Sequence, residues 1–426
     1  MHHLRRLLLP PCSLLILIKN MTGSKAFHTR SVVMSNLSEK SKLYLKSNNN
    51  NNSVVVEDNN TDIDDITPLF SFGVIADVQW ADADDGYNYG RTVKRCYRGS
   101  FQTLENAVNW WELQQSQQTA PLTFIAQLGD LIDGLNHKLN QSERALNLAL
   151  EQLDRAPCPC VNIVGNHELY NFNREYLSSV NWLKHGDREY HSFSPSPGWK
   201  VVVLDPYQIA LIGHDDDDPR RLEAVDIMGR ENPNVHPNGK DGDWLVGVEG
   251  HQRRFVPYNG GFGKEQLDWF RSELQDAATA NERVVVMSHV IIHPMACGGS
   301  TMAWDYEEAL GIINSEECVV TVLCGHDHKG NYYFDEENGV HHCTFSSPLN
   351  KGTEGHAYGI ICIHKDNTME IRGPKIDDLL PDVQGRPAPE KLQNSNGESK
   401  LLEYESIRLR LKSSLLSSMK YAVSAL

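Results

Sequence analysis

Val319-Val320-Thr321-Val322-Leu323-Cys324-Gly325-His326-Asp327-His328 is the stretch that decides the fold. The run to Cys324 reads as a buried strand, and the glycine and the polar residues after it read as the loop at its carboxyl end. On extended backbone alternate residues point the same way, so His326 and His328 reach one small volume. Alone, an H-x-H pair is a modest signal. It gains force because four more apolar runs end in metal-type residues: Phe72 to Gln79 with Asp77, Ile125 to Asp130, Val161 to Glu168 with Asn166 and His167, and Val284 to His289. Donors delivered by successive strand ends describe a site built on one α/β domain.

Outward from that run, the order of elements supports the same reading. A helix is expected over Thr92–Gln117, a strand over Leu122–Leu128, a helix over Ser142–Arg155 and a strand over Val161–Val164, which is the pattern of a βαβ-built sheet. Tyr190 to Phe193 and Trp199 to Leu204 read as hairpin strands. Asp205 to Gly263 lacks periodicity and is rich in Gly, Pro, Asn and Asp; so long a loop in a compact domain is functional or disordered. Its Asp215-Asp216-Asp217-Asp218 run reads as a solvated loop, because four adjacent carboxylates cannot converge on one ion. Helices follow at Lys264–Ala277 and Trp304–Ile313. After His328, short alternating runs suit a second, antiparallel set of strands. Three regions result: an N-terminal extension over 1–66, a catalytic domain over 67–374, and a C-terminal tail over 375–426 with a helix over 401–423.

Composition narrows the function. A net charge of −16 with no basic stripe argues against binding of duplex nucleic acid. Nine scattered cysteines are no disulfide framework; Cys158 and Cys160 read as two thiols flanking a strand, and a reducing compartment is the default. Residues 1–35 hold Arg, Lys and His but no acid, with an apolar patch at Leu14 to Ile18 that is too short to span a bilayer. A mitochondrial or plastid transit peptide, a secretory signal, or an extension upstream of Met21 or Met34 all fit; a cytoplasmic mature protein is ranked first. Residues 36–66, with Asn48 to Asn52, read as a disordered linker. No membrane span is expected, and a monomer is the expectation.

Taken in order, Asp77-Val78-Gln79, Gly129-Asp130, Gly165-Asn166-His167-Glu168, His289 and Gly325-His326-Asp327-His328 resemble the signature of the calcineurin-like metallophosphoesterases, over about residues 68–373. The resemblance implies a four-layer α/β/β/α sandwich with two central mixed β-sheets. It also implies one divalent ion on Asp77, Gln79, Asp130 and His328 and a second on Asp130, Asn166, His289 and His326, with Asp130 bridging. Two cations ~3.5–4 Å apart need an anionic bridge and suit in-line phosphoryl displacement by an activated hydroxide. The oxygen and imidazole donors favour Mn²⁺, Fe²⁺, Zn²⁺ or Mg²⁺ over soft metals.

Gln79 departs from the family pattern, where most members have Asp-x-His. A neutral amide oxygen is a harder and weaker ligand than imidazole, which shifts preference towards Mn²⁺. With Trp80 to Tyr89 and Arg91 to Arg98, this variant resembles the manganese-dependent ADP-ribose/CDP-alcohol diphosphatases. That branch implies hydrolysis of ADP-ribose, CDP-choline, CDP-glycerol and related nucleoside diphosphates to a nucleoside monophosphate and a phosphorylated product. His167, next to a ligand, is expected to protonate the leaving oxygen or stabilise the transition state. Asp327 is expected to orient a ligand imidazole. Tyr89 or Tyr87 is expected to stack on the nucleobase, and Arg95 or Arg91 to pair with phosphate. The alternatives are a phosphomonoesterase, phosphoprotein phosphatase or cyclic-nucleotide phosphodiesterase of the same superfamily, or an inactive scaffold. Asp133 disfavours a purple acid phosphatase, in which a tyrosine is expected three residues after the bridging aspartate.

Overall fold

Strand β1 (Phe70–Ile75) shows how the core is divided. Phe70, Phe72 and Val74 join one buried cluster and Ile75 joins another, so both faces of the strand are covered. That explains an apolar run without polar alternation. In the computed structural model, which describes residues 67–412 apart from 118–120, 181, 183–189, 236–242 and 393–403, this pattern recurs in two sheets. The calls on residues 1–66, a transit peptide or other leader and a disordered linker, and everything after 412 lie outside the described residues.

The remaining strands in chain order are β2 (Gly86–Tyr87), β3 (Lys94–Arg95), β4 (Leu122–Gln127), β5 (Cys160–Asn162), β6 (His191–Ser196), β7 (Trp199–Val203), β8 (Arg283–Ser288), β9 (Val319–Cys324), β10 (Asn331–Asp335), β11 (Val340–Thr344), β12 (Tyr358–Ile363), β13 (Thr368–Gly373), β14 (Glu390–Leu392) and β15 (Tyr404–Arg410). The first sheet runs β14-β15-β13-β12-β1-β4-β5, and the second β10-β11-β9-β8-β7-β6. Both are mixed: β1, β4 and β5 are parallel, as are β7, β8, β9 and β11, with antiparallel neighbours beyond. Phe72, Phe124 and Ile361 of the first sheet and Val201, Val285 and Leu323 of the second share the cluster between the sheets. The helices Tyr97–Ser116 and Ser142–Leu153 pack on one outer side, and Gly263–Thr279 and Tyr306–Ser315 on the other. This is the expected four-layer sandwich. Among the described residues no helix is long and apolar enough to cross a membrane.

Four expectations need correction. The short runs after His328 do not form a separate antiparallel set: β10 and β11 extend the second sheet, whereas β12 and β13 complete the first. Tyr404–Arg410 is a strand, not the start of a helix over 401–423, because Ile407, Leu409 and Leu411 alternate with polar residues and are buried at period two. With β14 and β15 on the first sheet, the described part of 375–412 belongs to the sandwich rather than to a tail. Finally, the segment Asp205 to Gly263 contains a helix, Pro219–Glu231, and a 3-10 turn, Gly250–Arg254. Asp218 caps that helix through its carboxylate and Pro219 opens it, but only Ala224 and Met228 are buried, so no apolar stripe marked it.

Candidate metal centre

Each expected ligand follows the carboxyl end of a strand. Asp77 and Gln79 follow β1, Asp130 follows β4, Asn166 follows β5, His289 follows β8, and His326 and His328 follow β9. Four of them, Asp77, Gln79, Asp130 and His326, have φ of +52°, +46°, +57° and +68°. Left-handed backbone costs a non-glycine residue ~1–3 kcal/mol, and such strain gathers where packing must aim functional groups. The loops are laced together: Asp77 N–H donates to Gly129 O at 3.0 Å and Gln79 N–H to Asp130 O at 2.8 Å. Two glycines permit the approach. A Cβ on Gly165 would lie 2.1 Å from Asp130 Oδ1, and one on Gly129, itself at φ +98°, 2.4 Å from the His289 ring.

The seven side chains form one network. Asp130 Oδ2 stands 2.8 Å from Gln79 Nε2 on one side and 3.4 Å from His289 Nε2 on the other. His328 Nε2 lies 2.9 Å from Gln79 Nε2 and 3.5 Å from Asp77 Oδ1. Asn166 Oδ1 lies 3.4 Å from His289 Nε2, and donor atoms of Asp130, His289 and His326 all fall within 4.8 Å of one another. Asp130 thus faces both halves of the cluster, as a bridging carboxylate must.

The surroundings decide which imidazole nitrogens carry lone pairs. His289 Nδ1 lies 2.7 Å from the Leu128 carbonyl, so it carries the proton and Nε2 is left as the donor. His326 Nε2 lies 2.6 Å from Asn259 Oδ1, and the Asn259 amide is fixed by donating to Arg254 O and Ser300 O at 2.8 Å each. His326 Nε2 therefore bears the proton and Nδ1 is bare. Burial pushes His326 well below the ordinary histidine range, and burial with the Arg95 charge brings His328 to about 3, so both stay neutral. Burial would lower His289 too, but the Asp130 carboxylate outweighs it and raises the ring to about 9. An attraction that holds a proton there would equally hold a cation. Burial and the Asp130 charge raise Asp77, whereas Asp130 itself is lowered because His289 and His167 overcome its burial.

The donor set fits a divalent pair on a second count. Asp77 Oδ1 and Gln79 Oε1 are buried acceptors with no hydrogen-bond partner among the described residues. Turning the Gln79 amide over would set Oε1 against the Asp130 carboxylate, a further acceptor. That arrangement is favourable only with a cation between them.

Several neighbours were missed from sequence. The Glu168 carboxylate accepts from the backbone of Asp130, Leu131 and Gly165 at 2.8–2.9 Å, fixing the Asp130 loop. Burial and the Asp130 charge raise it to about 7. The Tyr207 hydroxyl donates to Asn166 Oδ1 at 3.3 Å. His167 sits beside the cluster: its backbone N–H donates to Asp130 Oδ1, its Nδ1 accepts from Gly134 N–H, and its Nε2 is 3.9 Å from Asp130 Oδ2. Asp133 Oδ2 lies 3.3 Å from His167 Nδ1.

A cavity of about 490 Å³ opens onto the cluster and is lined also by Arg95, Tyr258, Thr301, Lys329 and Asn350. Arg95 is where the sequence placed it. Tyr89 is not: it is 90% exposed, its hydroxyl faces Asp243 at 3.4 Å, and it does not line the cavity. The Asn88 carboxamide accepts from the Thr92 and Val93 amides and folds the turn so that Tyr89 points away. The tyrosines that line the cavity are Tyr170 and Tyr258, the latter with its ring 5.8 Å from that of His326. Asp327 does not orient an imidazole either; its carboxylate accepts from Gly298 N–H at 2.7 Å and Lys329 N–H at 3.3 Å.

Comparison with known proteins identifies the family. Residues 70–330 match the family model for calcineurin-like phosphoesterases. A manganese-dependent ADP-ribose/CDP-alcohol diphosphatase from Arabidopsis thaliana is 38% identical over 309 residues, 72% of this chain and 94% of that protein. One of the same name from Homo sapiens is 36% identical, covering 71% of this chain and 89% of its own. A solved dimetal phosphatase from Danio rerio superposes with a TM-score of 0.65 at 33% identity, over 72% of this chain and 96% of that one. The chain belongs to the calcineurin-like phosphoesterase family, in the branch of the manganese-dependent ADP-ribose/CDP-alcohol diphosphatases.

Proposed function

We propose that this chain hydrolyses the pyrophosphate of ADP-ribose and of CDP-alcohols such as CDP-choline and CDP-glycerol, releasing a nucleoside monophosphate and a phosphorylated product. The observation that carries the reading is Asp130 Oδ2 standing between two groups of donors at the mouth of a cavity with cationic lining. Asp77, Gln79, Asp130 and His328 would hold one Mn²⁺; Asp130, Asn166, His289 and His326 would hold the other. When bound, the pair supplies Lewis acidity and a water acidic enough to attack phosphorus near neutral pH.

The protein's own groups do the rest. Arg95 and Lys329 bring positive charge to a cavity that must accept a diphosphate, and Tyr258 offers a face for the organic part. Because Gly134 N–H donates to His167 Nδ1, the neutral ring carries its proton on Nε2, where it can donate to an oxygen that gains charge as the anhydride breaks. A phosphate leaving group is a weak base, so this hydrogen bond matters more than full proton transfer.

The test is hydrolysis of ADP-ribose, CDP-choline, a phosphopeptide and cyclic AMP with Mn²⁺, Mg²⁺ or Zn²⁺. AMP and CMP release with Mn²⁺ is expected. Release from neither diphosphate would reject the proposed activity, and turnover of the phosphopeptide or cyclic AMP instead would install one of the other phosphoesterase activities.

A further inference from the structure

A second group of metal-type side chains lies apart from the catalytic cavity. His342 on β11 pairs across the ladder with Tyr333 of β10, and Asp335 is two residues further along β10. Period-two alternation therefore sets His342 and Asp335 on the same face of the second sheet. His293, in the connection after β8 that leads into the 3-10 turn Pro294–Ala296, covers that face: its ring is 4.5 Å from that of His342 and 4.5 Å from that of Tyr333. One donor atom from each of His293, Asp335 and His342 falls within 4.8 Å of the others. None of the three lines the catalytic cavity.

Burial makes this grouping unusual. His342 is 2% exposed, and neither of its nitrogens has a hydrogen-bond partner among the described residues. Buried imidazole nitrogens without partners are uncommon, because the desolvated N–H and lone pair are both left unsatisfied. The ring faces the Asp335 carboxylate and the His293 imidazole. Asp335 is also buried; it accepts from the backbone of Glu337 and Asn338 and from the Asn338 amide, which uses three of its roughly four acceptor positions. One lone pair remains. His293 Nδ1 accepts from Met295 N–H at 3.1 Å, so binding an ion through this ring gives up one weak hydrogen bond.

We propose that His293, Asp335 and His342 form a further divalent-cation site of the zinc class, apart from the catalytic cavity. Two imidazoles and a carboxylate match the donor preference of Zn²⁺, and a water completes four-coordination. The ion would pin the connection following β8 onto the β10–β11 hairpin. It would thereby brace the strand pair that follows the His326–His328 loop without touching substrate.

The test is metal content of the full chain, stripped with chelator, re-equilibrated with Zn²⁺ and freed of excess. His342→Phe and Asp335→Asn should each bind one equivalent fewer than the wild type while keeping the Mn²⁺-dependent hydrolysis rate. Comparing variants with wild type makes the result independent of how many ions the catalytic cluster holds. Cobalt-loaded wild type should show a visible absorption contribution absent from both variants. If His342→Phe fails to fold, Asp335→Asn, which keeps an acceptor for the turn, decides alone. Equal zinc content in wild type and Asp335→Asn, or loss of the equivalent only together with loss of activity, overturns the site.

Discussion

Asn259 shows what a single residue does at this centre and why sequence did not reveal it. It is 67 positions from His326, within an aperiodic segment, and while its amide donates to Arg254 O and Ser300 O its oxygen accepts from Nε2 of that imidazole. Replacing it with leucine removes the acceptor, so His326 loses its fixed tautomer and orientation. Asn259→Leu should lower activity ~10–100-fold at limiting Mn²⁺ and recover in part at high Mn²⁺, a shift read from the metal dependence of the rate. Gln79, by contrast, was legible, because the Asp-x-Gln spacing at a strand end exposes the departure directly. Gln79→His should raise Zn²⁺-supported relative to Mn²⁺-supported hydrolysis, measured as the ratio of rates at equal free metal. An unchanged ratio would mean that position 79 does not set the preference. Tyr89 was misjudged because residue type says nothing of direction; the Asn88 turn that aims it outward depends on contacts four and five residues away.

Strands and their ends were the most legible elements, since runs buried on both faces are continuous and each stops at a polar ligand. The helix Pro219–Glu231 and strand β15 were obscured for opposite reasons, the one lacking a stripe and the other having a period-two pattern within a leucine-rich stretch. β15 is held by more than its ladder. Glu370 of β13 bonds His364 at 3.0 Å and Arg372 at 2.8 Å, and the β15 residue Arg408 approaches to 3.8 Å. Burial pushes the Glu370 carboxyl up, but those hydrogen bonds and charges outweigh it and bring it to about 2. A lowered carboxyl stabilises the fold fully above its ordinary value near 4.5, and that contribution is lost as pH falls from there towards 2. Glu370→Gln should cost about 3 kcal/mol at pH 7 and show a shallower loss across that acid window, measured by denaturant unfolding at both ends. At the ligand loops, Gly165→Ala drives a methyl into Asp130 Oδ1, so bound Mn²⁺ and activity should fall together while the secondary structure by circular dichroism is kept.

Across the whole molecule, the cluster joins the sheets: Asp77, Gln79, Asp130 and Asn166 come from the first, His289, His326 and His328 from the second. Ions held by both sheets bind the folded chain alone, so Mn²⁺ at about a hundred times its dissociation constant should add ~2.7 kcal/mol of stability, and chelation should lower Tm accordingly. The strand ends that deliver these side chains could be read from the order of apolar runs, whereas the four layers and the assignment of ligands rested on the family resemblance. The Glu168, Asn259 and Tyr207 supports could be read from neither, because they arise only when distant loops meet. Electron paramagnetic resonance of the Mn²⁺-loaded chain, paired with AMP release from ADP-ribose, tests the centre of this account most directly. The wild type should give the signal of an exchange-coupled Mn²⁺ pair and release AMP, and Asp130→Asn should lose both. Full AMP release from a chain that shows only isolated Mn²⁺ signals, or an Asp130→Asn variant as active as the wild type, would contradict it.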